Sequence, residues 1–128
     1  MFATLAGCPD SANKIPEHKE FDLVLVEEAG QCTEPNTLGA LLKCNMERGQ
    51  IILIGDHCQL RPTVLSPEAA GIGLEQSLFE RLFEMPGIQR TQLTVQYRML
   101  ASIMEYPSTF YNVPLVPAQE AAEQAPVD

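Results

Sequence analysis

Two short apolar runs, each followed by acidic residues, restrict the fold of this chain more than any other feature of its sequence. The run Phe21–Val26 precedes Glu27 and Glu28, and the run Ile51–Ile54 precedes Asp56 after one glycine. Runs of this length that are rich in Val, Ile and Leu are typical of strands buried on both faces of a parallel sheet. Ligands of open α/β sheets bind beyond the carboxyl ends of the strands, where carboxylates can hold Mg²⁺ or position a water against a phosphate. The alternative is two core strands whose acidic residues merely face solvent.

The rest of the chain alternates between predicted strands and helices. Thr33 is a predicted helix cap, and Pro35 suits the first turn of that helix. The predicted elements are a short strand at Phe2–Ala6, helices at Thr33–Cys44, Leu74–Phe83 and Ala101–Phe110 (the last interrupted at Pro107), a loop at Arg61–Gly71 and a strand at Gln92–Val95. This order indicates β-α-β units with right-handed crossovers, and therefore an α/β fold.

The acidic balance of the chain limits how it can bind nucleic acid. Its 128 residues include 17 acidic and 8 basic side chains, for a formal net charge of −9. A basic nucleic-acid patch on this chain alone is therefore not expected, and any such contact must be local or come from other segments. No apolar run approaches the roughly 20 residues that span a bilayer, and the first residues lack the pattern of a signal peptide. We therefore expect an intracellular protein with no membrane contact.

The four cysteines do not form a metal-binding or disulfide pattern. Cys8, Cys32, Cys44 and Cys58 are widely spaced, with no C-x-x-C pair. The spacing therefore favours four free thiols in a reducing compartment over a zinc site or a disulfide framework. His57 adjoins Cys58, but neighbours on an extended segment point to opposite sides, so no catalytic dyad is expected there.

Three motifs follow one another in a characteristic order. They are Val26–Gln31 (V-E-E-A-G-Q), Gly55–Leu60 (G-D-H-C-Q-L) and Val95–Met99 (V-Q-Y-R-M). This series resembles motifs II, III and IV of superfamily 1 helicases, and most closely those of the up-frameshift branch, the RNA helicases of nonsense-mediated decay. The resemblance extends from about Ala3 to about Leu115, which is nearly the whole chain.

The resemblance implies a particular fold and a particular extent. Residues 1–115 would be the C-terminal half of a RecA-like P-loop NTPase domain, with a parallel sheet and flanking helices, and residues 116–128 a disordered tail rich in Pro, Ala and Glu. No G-x-x-x-x-G-K-S/T phosphate-binding loop occurs in the sequence. The later motifs of a second motor domain are absent too. We therefore expect a fragment, a truncated gene model or a degenerate paralogue.

The resemblance also assigns roles on the catalytic side of the site. Glu28 matches the residue that polarises the attacking water, and a carboxylate there can accept its proton. Gln59 matches the sensor of the γ-phosphate, because an amide can donate to phosphate and accept from water. Arg98 matches the arginine that approaches the γ-phosphate and neutralises its charge. For Gln59 the alternative is a polar turn after a core strand, and for Arg98 it is a surface salt bridge.

Four further residues are implied in binding. Glu27 stands where the family usually has Asp, and would hold Mg²⁺ through water with a side chain one methylene longer. Asp56 would orient the loop that carries Gln59, and it joins Glu27 and Gln31 as a candidate nucleotide-binding residue. Thr4 lies in a segment that resembles the one which meets the nucleic-acid backbone.

The leading functional hypothesis is a segment of an ATP-dependent RNA or DNA helicase. With ATP and Mg²⁺ it would couple hydrolysis to translocation and unwinding of RNA or single-stranded DNA. Its protein partners would be of the mRNA surveillance type, and its compartment the cytoplasm, with the nucleus as a further location. One alternative is a catalytically inactive remnant that acts only as a protein-binding module. Another is a receiver-like or flavodoxin-like phosphate-binding domain, which would explain the acids at the strand ends but neither Gln59 nor the motif around Arg98.

Overall fold

The computed structural model describes residues 20–118, and the chain divides into two units, Met1–Ile88 and Gln89–Asp128. The predicted strand at Phe2–Ala6, the candidate Thr4 and residues 119–128 of the predicted tail lie outside the described residues. Within residues 20–118, no helix combines the length and apolar character needed to cross a bilayer.

The first unit is built around two parallel strands. Strand β1 (Leu23–Val26) pairs with β2 (Gln50–Leu53), in a register that sets Leu23 opposite Gln50 and Val26 opposite Leu53. The other elements of this unit are a 3₁₀ turn (Ala29–Gln31) and helices α1 (Glu34–Leu41), α2 (Pro67–Gly71) and α3 (Leu78–Glu84). The predicted parallel sheet with flanking helices is therefore confirmed.

The prediction that both strands are buried on both faces is wrong for the described residues. Leu23 and Leu25 remain 52% and 53% exposed, whereas Val26 is 4% exposed. Alternate residues of a strand share a face. The described residues of the first unit therefore leave the face that carries Leu23 and Leu25 largely exposed. Ile51 and Ile52 of β2 are exposed as well.

Small side chains fill the core of the first unit where α1, α3 and the 3₁₀ turn meet, beside the buried Val26, Cys44 and Leu78. Ala29 and Ala40 are buried, and Thr37 and Ser77 are fully buried. The Thr37 hydroxyl donates to the Thr33 carbonyl (3.3 Å), so its burial leaves no unsatisfied polar atom. The close packing of these small residues brings α3 against the 3₁₀ turn that follows β1.

Two helices of the first unit are shorter than predicted, and the helix predicted at Ala101–Phe110 also ends early, at Ser108. Helix α1 ends at Leu41 rather than Cys44, because the backbone of residues 43–45 instead brackets Phe21: Phe21 N donates to Lys43 O (2.8 Å) and Asn45 N to Phe21 O (2.9 Å). Helix α3 begins at Leu78 rather than Leu74, because the Ser77 hydroxyl accepts from the Glu80 N–H (3.0 Å) and caps it.

Capping also differs from the prediction at two other positions. The side chain of Thr33 occupies the cap position of α1 but makes no capping hydrogen bond, while Pro35 does lie in the first turn. Part of the predicted loop at Arg61–Gly71 is helical, since α2 starts after Ser66, whose hydroxyl accepts from the Ala69 N–H (3.2 Å).

The second unit has its own small parallel pair. Strand β3 (Val95–Gln96) pairs with β4 (Val116–Pro117), and helix α4 (Ala101–Ser108) lies between them in the sequence. The predicted strand at Gln92–Val95 therefore keeps only its last residue, and α4 runs through Pro107 without interruption. Val116 and Pro117, which were predicted to be in the disordered tail, form β4.

Candidate nucleotide site

The two acidic segments leave the sheet side by side. Backbone pairing continues beyond the strands, because Ile54 N donates to Val26 O (2.8 Å) and Ala29 N donates to Ile54 O (2.9 Å). The carboxyl ends of β1 and β2 thus carry the residues after Val26 and those after Ile54 to one edge of the sheet. This is the edge at which open α/β sheets bind their ligands.

Two glycines let the loops touch through their backbones. A Cβ on Gly30 would lie 2.8 Å from the Asp56 carbonyl oxygen, and a Cβ on Gly55 would lie 2.9 Å from the Gly30 nitrogen. Any larger residue would therefore have to push the loops apart. Neither glycine was assigned a role from the sequence, although each belongs to a motif and glycine permits close backbone approach.

Glu28 has a strained backbone at the start of the 3₁₀ turn. Its φ of 54° and ψ of 36° lie in the left-handed region, and it is the one non-glycine residue with positive φ among those the structure describes. Such a conformation costs about 1–3 kcal/mol and is concentrated at functional sites. The exposed Glu28 carboxylate accepts a hydrogen bond from Gln31 Nε2 (3.0 Å). The turn therefore aims Glu28 outward and links it to a second candidate residue, Gln31.

Asp56 organises the loop after β2. Its Oδ1 accepts from the Cys58 N–H (2.9 Å) and its Oδ2 accepts from Gln59 Nε2 (2.7 Å). One carboxylate thus holds both the backbone of the turn and the side-chain amide of Gln59. The Gln59 side chain is exposed at this edge. Loss of the Asp56 carboxylate would remove the hydrogen bond that orients the Gln59 amide.

The expectation that His57 and Cys58 point apart is wrong. These residues form a turn instead of an extended segment, and His57 Nε2 lies 3.7 Å from Cys58 Sγ. The His57 ring also packs against Phe83 of α3, with ring centroids 4.4 Å apart. Partial burial, and secondarily the nearby Asp56 charge, raise the pKa of the Cys58 thiol. The pair is therefore a thiol beside an imidazole, not an activated thiolate.

The acids at the end of β1 have the chemistry that Mg²⁺ prefers. Glu27 and Glu28 are exposed carboxylates in successive positions, and Mg²⁺ takes oxygen ligands while keeping several waters. These side chains therefore fit a hydrated Mg²⁺. The chain has no glycine-rich loop with Lys to surround the β- and γ-phosphates, so the donor set for a nucleotide is only partly supplied.

Two ion pairs that sequence reasoning missed hold α3 in place. Arg81 binds Glu34 through two hydrogen bonds, Nε to Oε2 (2.8 Å) and Nη2 to Oε1 (2.7 Å), which ties α3 to the start of α1. These bonds, chiefly the hydrogen bond itself, lower the pKa of Glu34. Arg61 Nη2 donates to the buried Glu80 (2.8 Å), which ties the segment after the Gln59 loop to the same helix. Opposite charges 47 and 19 residues apart carry no local signal that could have predicted either pair.

Arg98 belongs to the second unit, where it follows β3 in an exposed turn. The Gln96 side chain closes this turn: its Oε1 accepts from the N–H groups of Arg98 (3.0 Å) and Met99 (2.7 Å), and its Nε2 donates to the Met99 carbonyl (2.6 Å). Three hydrogen bonds from one side chain fix the backbone that carries the Arg98 guanidinium. Gln96 is therefore a positioning residue that the motif contained but sequence reasoning did not assign.

Comparison with known proteins gives matches along almost the whole chain. Two family models, each described as an AAA domain, match residues 1–67 and 74–127. The chain is 43% identical over 106 residues to the Regulator of nonsense transcripts 1 homolog of Arabidopsis thaliana, and this match covers 82% of the chain and 8% of the relative. It is 44% identical over 92 residues to the ATP-dependent helicase NAM7 of Saccharomyces cerevisiae (72% of the chain, 9% of the relative).

A relative whose name describes a different activity is also similar. The chain is 42% identical over 97 residues to the DNA replication ATP-dependent helicase/nuclease DNA2 of Bos taurus, across 76% of the chain. The chain spans 8% or 9% of the length of these three relatives.

Proposed function

Because the chain belongs to the superfamily 1 helicases of the up-frameshift branch, we propose that it forms the γ-phosphate side of an ATP-dependent helicase motor. The observation that carries this proposal is the joined pair of loops at the carboxyl ends of β1 and β2. One loop carries the strained Glu28 and the other carries the Gln59 amide held by Asp56.

Each residue of the first unit has a defined part in this proposal. Glu28 accepts the proton of the water that attacks the γ-phosphate, because it is an exposed carboxylate fixed at the strand end. Gln59 donates its amide to the γ-phosphate, exchanging its bond with Asp56 for a bond to the nucleotide. Glu27 holds hydrated Mg²⁺ through water, with Gln31 keeping the Glu28 side chain in position.

Arg98 neutralises the charge that spreads over the transferring phosphoryl group. A planar guanidinium suits this task. The hydrogen bonds of Gln96 hold the backbone of Arg98 and Met99 in one conformation. Mg²⁺, when bound with ATP, supplies further charge neutralisation between the phosphates.

The substrates of the motor are proposed from the relatives' names and the family. RNA or single-stranded DNA is the polymer, and proteins of an mRNA surveillance type are the partners. The cytoplasm, and also the nucleus, are the proposed compartments, which the free thiols of Cys32, Cys44 and Cys58 suit because such compartments are reducing. Thr4 remains the proposed contact to the nucleic-acid backbone.

The substitution Glu28→Gln tests the proposal in a complete helicase that carries this segment. The amide keeps the shape of the side chain but cannot accept the proton, so hydrolysis should fall by about 10²–10⁴-fold while ATP binding is kept. Glu47→Gln, at an exposed acid before β2, is the matched control and should leave both unchanged. Turnover of Glu28→Gln within a few-fold of the parent enzyme would remove Glu28 from the role of base.

The 128-residue chain by itself should not hydrolyse ATP. Glu28, Gln59 and Arg98 all act on the γ-phosphate, and phosphoryl transfer needs positioning of the nucleotide together with charge neutralisation. The measurement is steady-state ATP hydrolysis by the purified chain, with and without single-stranded RNA. RNA-stimulated turnover would contradict this expectation and would indicate a phosphate site elsewhere in the chain.

The alternative of an inactive protein-binding module has one observation in its favour. Leu23 and Leu25 of β1, with Ile52 of β2 opposite Leu25, leave one apolar sheet face exposed in the first unit, and such patches often bind other proteins. The two functions separate in the Glu28→Gln experiment, because a binding module loses no hydrolysis when its acid is replaced.

A further inference from the structure

The turn after β2 brings three metal-binding side chains together. One ligand atom each from Asp56, His57 and Cys58 lies within 4.8 Å of the other two, and His57 Nε2 is 3.7 Å from Cys58 Sγ. Carboxylate, imidazole and thiolate are the side chains that bind Zn²⁺ in proteins. We propose that this turn is a binding site for Zn²⁺, separate from the Mg²⁺ position at Glu27.

The distance between the nitrogen and sulfur ligands matches what zinc requires. With Zn–N of about 2.0–2.1 Å and Zn–S of about 2.3 Å in a tetrahedral arrangement, the nitrogen and sulfur ligands are separated by about 3.6 Å. The observed 3.7 Å between His57 Nε2 and Cys58 Sγ is already close to that value. An Asp56 oxygen lies within 4.8 Å of both other ligand groups, so the carboxylate is within reach to complete a three-ligand site whose fourth position holds water.

One hydrogen bond within the cluster and one ring contact outside it hold its members near this geometry. Asp56 Oδ1 accepts a hydrogen bond from the Cys58 N–H (2.9 Å), which holds the carboxylate against the backbone of the turn. The His57 ring is packed on Phe83 at a centroid distance of 4.4 Å, which restricts its rotation. A carboxylate offers about four lone-pair positions, so Asp56 can accept this N–H and still bind the ion.

The chemistry of binding separates Zn²⁺ from Mg²⁺. Zn²⁺ forms a bond to the Cys58 sulfur, and the thiol proton leaves to solvent in the same step, so one proton is released for each ion bound. Mg²⁺ prefers six oxygen ligands and should not bind this mixed nitrogen, sulfur and oxygen set.

Zinc at this turn would also act on the proposed γ-phosphate sensor, and this consequence rests on the proposed function. Asp56 Oδ2 accepts the Gln59 amide at 2.7 Å, and Zn²⁺ competes for that carboxylate. Gln59 then loses the contact that sets its orientation. In the complete helicase, Zn²⁺ should therefore slow ATP hydrolysis.

Cobalt titration of the purified 128-residue chain tests the site directly. Co²⁺ reports thiolate coordination by a charge-transfer band, and Zn²⁺ should displace it with one ion per chain. Cys58→Ser should abolish the band, and His57→Asn and Asp56→Asn should each weaken binding at least tenfold. Cys32→Ser is the matched control. Cys32 directly follows the 3₁₀ turn and is not part of the cluster, so this variant should bind Co²⁺ and Zn²⁺ as the parent chain does.

Two results would overturn the site. One is an absent band, or a band that survives Cys58→Ser. The other is equal affinity in the urea-unfolded chain, which would show that adjacent ligand types suffice without the folded turn.

Nuclear magnetic resonance of the Gln59 side-chain amide tests the coupling without requiring activity. A shift of that signal on adding Zn²⁺, absent in Cys58→Ser, supports the release of Gln59 from Asp56, and an unmoved signal overturns it. If zinc binds and moves Gln59 but leaves hydrolysis unchanged, the γ-phosphate role of Gln59 fails while the site stands. If zinc does not bind but Glu28→Gln abolishes hydrolysis, the site fails and the proposed function stands.

Discussion

Replacing Gly30 by alanine places a methyl group where the two loops of the candidate site meet. The added Cβ would lie 2.8 Å from the Asp56 carbonyl oxygen and 3.3 Å from its carbonyl carbon. Both are backbone atoms, which cannot rotate away as a side chain can. Overpacking of this kind costs about 1–3 kcal/mol.

Gly39 supplies the matched control for this substitution. It lies in α1, and a Cβ added there would meet nothing within 4 Å. Both Gly→Ala changes reduce the entropy of the unfolded chain, which by itself stabilises by about 0.4–1 kcal/mol. Because that contribution is common to Gly30→Ala and Gly39→Ala, the difference between their free energies of unfolding reports the clash, and we expect it to be about 1–3 kcal/mol.

Urea and thermal unfolding of the 128-residue chain, followed by circular dichroism, measure this difference. One kcal/mol corresponds to about 4–8 °C in Tm for a domain of 60–100 residues, so Gly30→Ala should melt at least about 4 °C below Gly39→Ala. The dependence of unfolding free energy on urea should be unchanged, since neither variant alters the surface exposed on unfolding.

A double-mutant cycle sharpens the test. A Cβ on Gly55 would lie 2.9 Å from the Gly30 nitrogen, so Gly55→Ala strains the same contact from the other side. Once one methyl has separated the loops, the second should cost less, and the two effects should fall short of additive. Equal stability of Gly30→Ala and Gly39→Ala, or strict additivity with Gly55→Ala, would refute the close approach of the two loops.

Two further predictions concern the hydrogen bonds that sequence reasoning missed. In the complete helicase, Gln96→Ala should lower the rate of ATP hydrolysis towards that of Arg98→Ala, a loss of roughly 10³-fold, without weakening ATP binding. Gln96→Glu still accepts both N–H groups but cannot donate to the Met99 carbonyl, so it should recover only part of the rate, and a normal rate in Gln96→Ala would exclude the positioning role. For the chain itself, Glu34→Gln should reduce the free energy of unfolding at about pH 7, and this effect should diminish at an acidic pH below the ordinary glutamate pKa of about 4.3. The Arg81 guanidinium lowers the pKa of Glu34 in the folded state, so the stability it contributes is present above the ordinary glutamate pKa of about 4.3 and is lost as pH falls through the folded value. Urea unfolding at both pH values is the measurement, Glu47→Gln is the control, and a stability difference that is the same at both pH values would contradict the ion pair.

Local sequence patterns were enough to predict β1, β2 and the family. The apolar runs before Glu27 and Asp56 are long enough to identify β1 and β2, and their parallel pairing follows from the helix between them. The motifs around Glu28, Gln59 and Arg98 identified the family, and the comparisons confirm it. These features were predictable because each depends on residues that are neighbours in the chain.

Element boundaries and buried faces depended on distant residues. Helix α1 ends early because Phe21 forms backbone hydrogen bonds with the residues beside Cys44. Strand β4 forms because Val116 pairs with Val95, which lies 21 residues earlier in the chain. Leu23 and Leu25 are exposed because burial of a strand face requires a covering layer, which a strand's own composition cannot supply. An apolar sequence indicates that a strand favours burial, whereas the residues that pack against the strand decide whether it is buried.

The sequence by itself thus determined β1 and β2, the acids that follow them and the family. Only the tertiary structure decided how those residues meet: that Gly30 and Gly55 let two loops touch, that Glu28 takes a left-handed conformation, and that His57 and Cys58 converge. The physical reason is that side-chain identity and spacing set local preferences, while distances of a few ångströms between separate segments are set by the close packing of whole loops and helices.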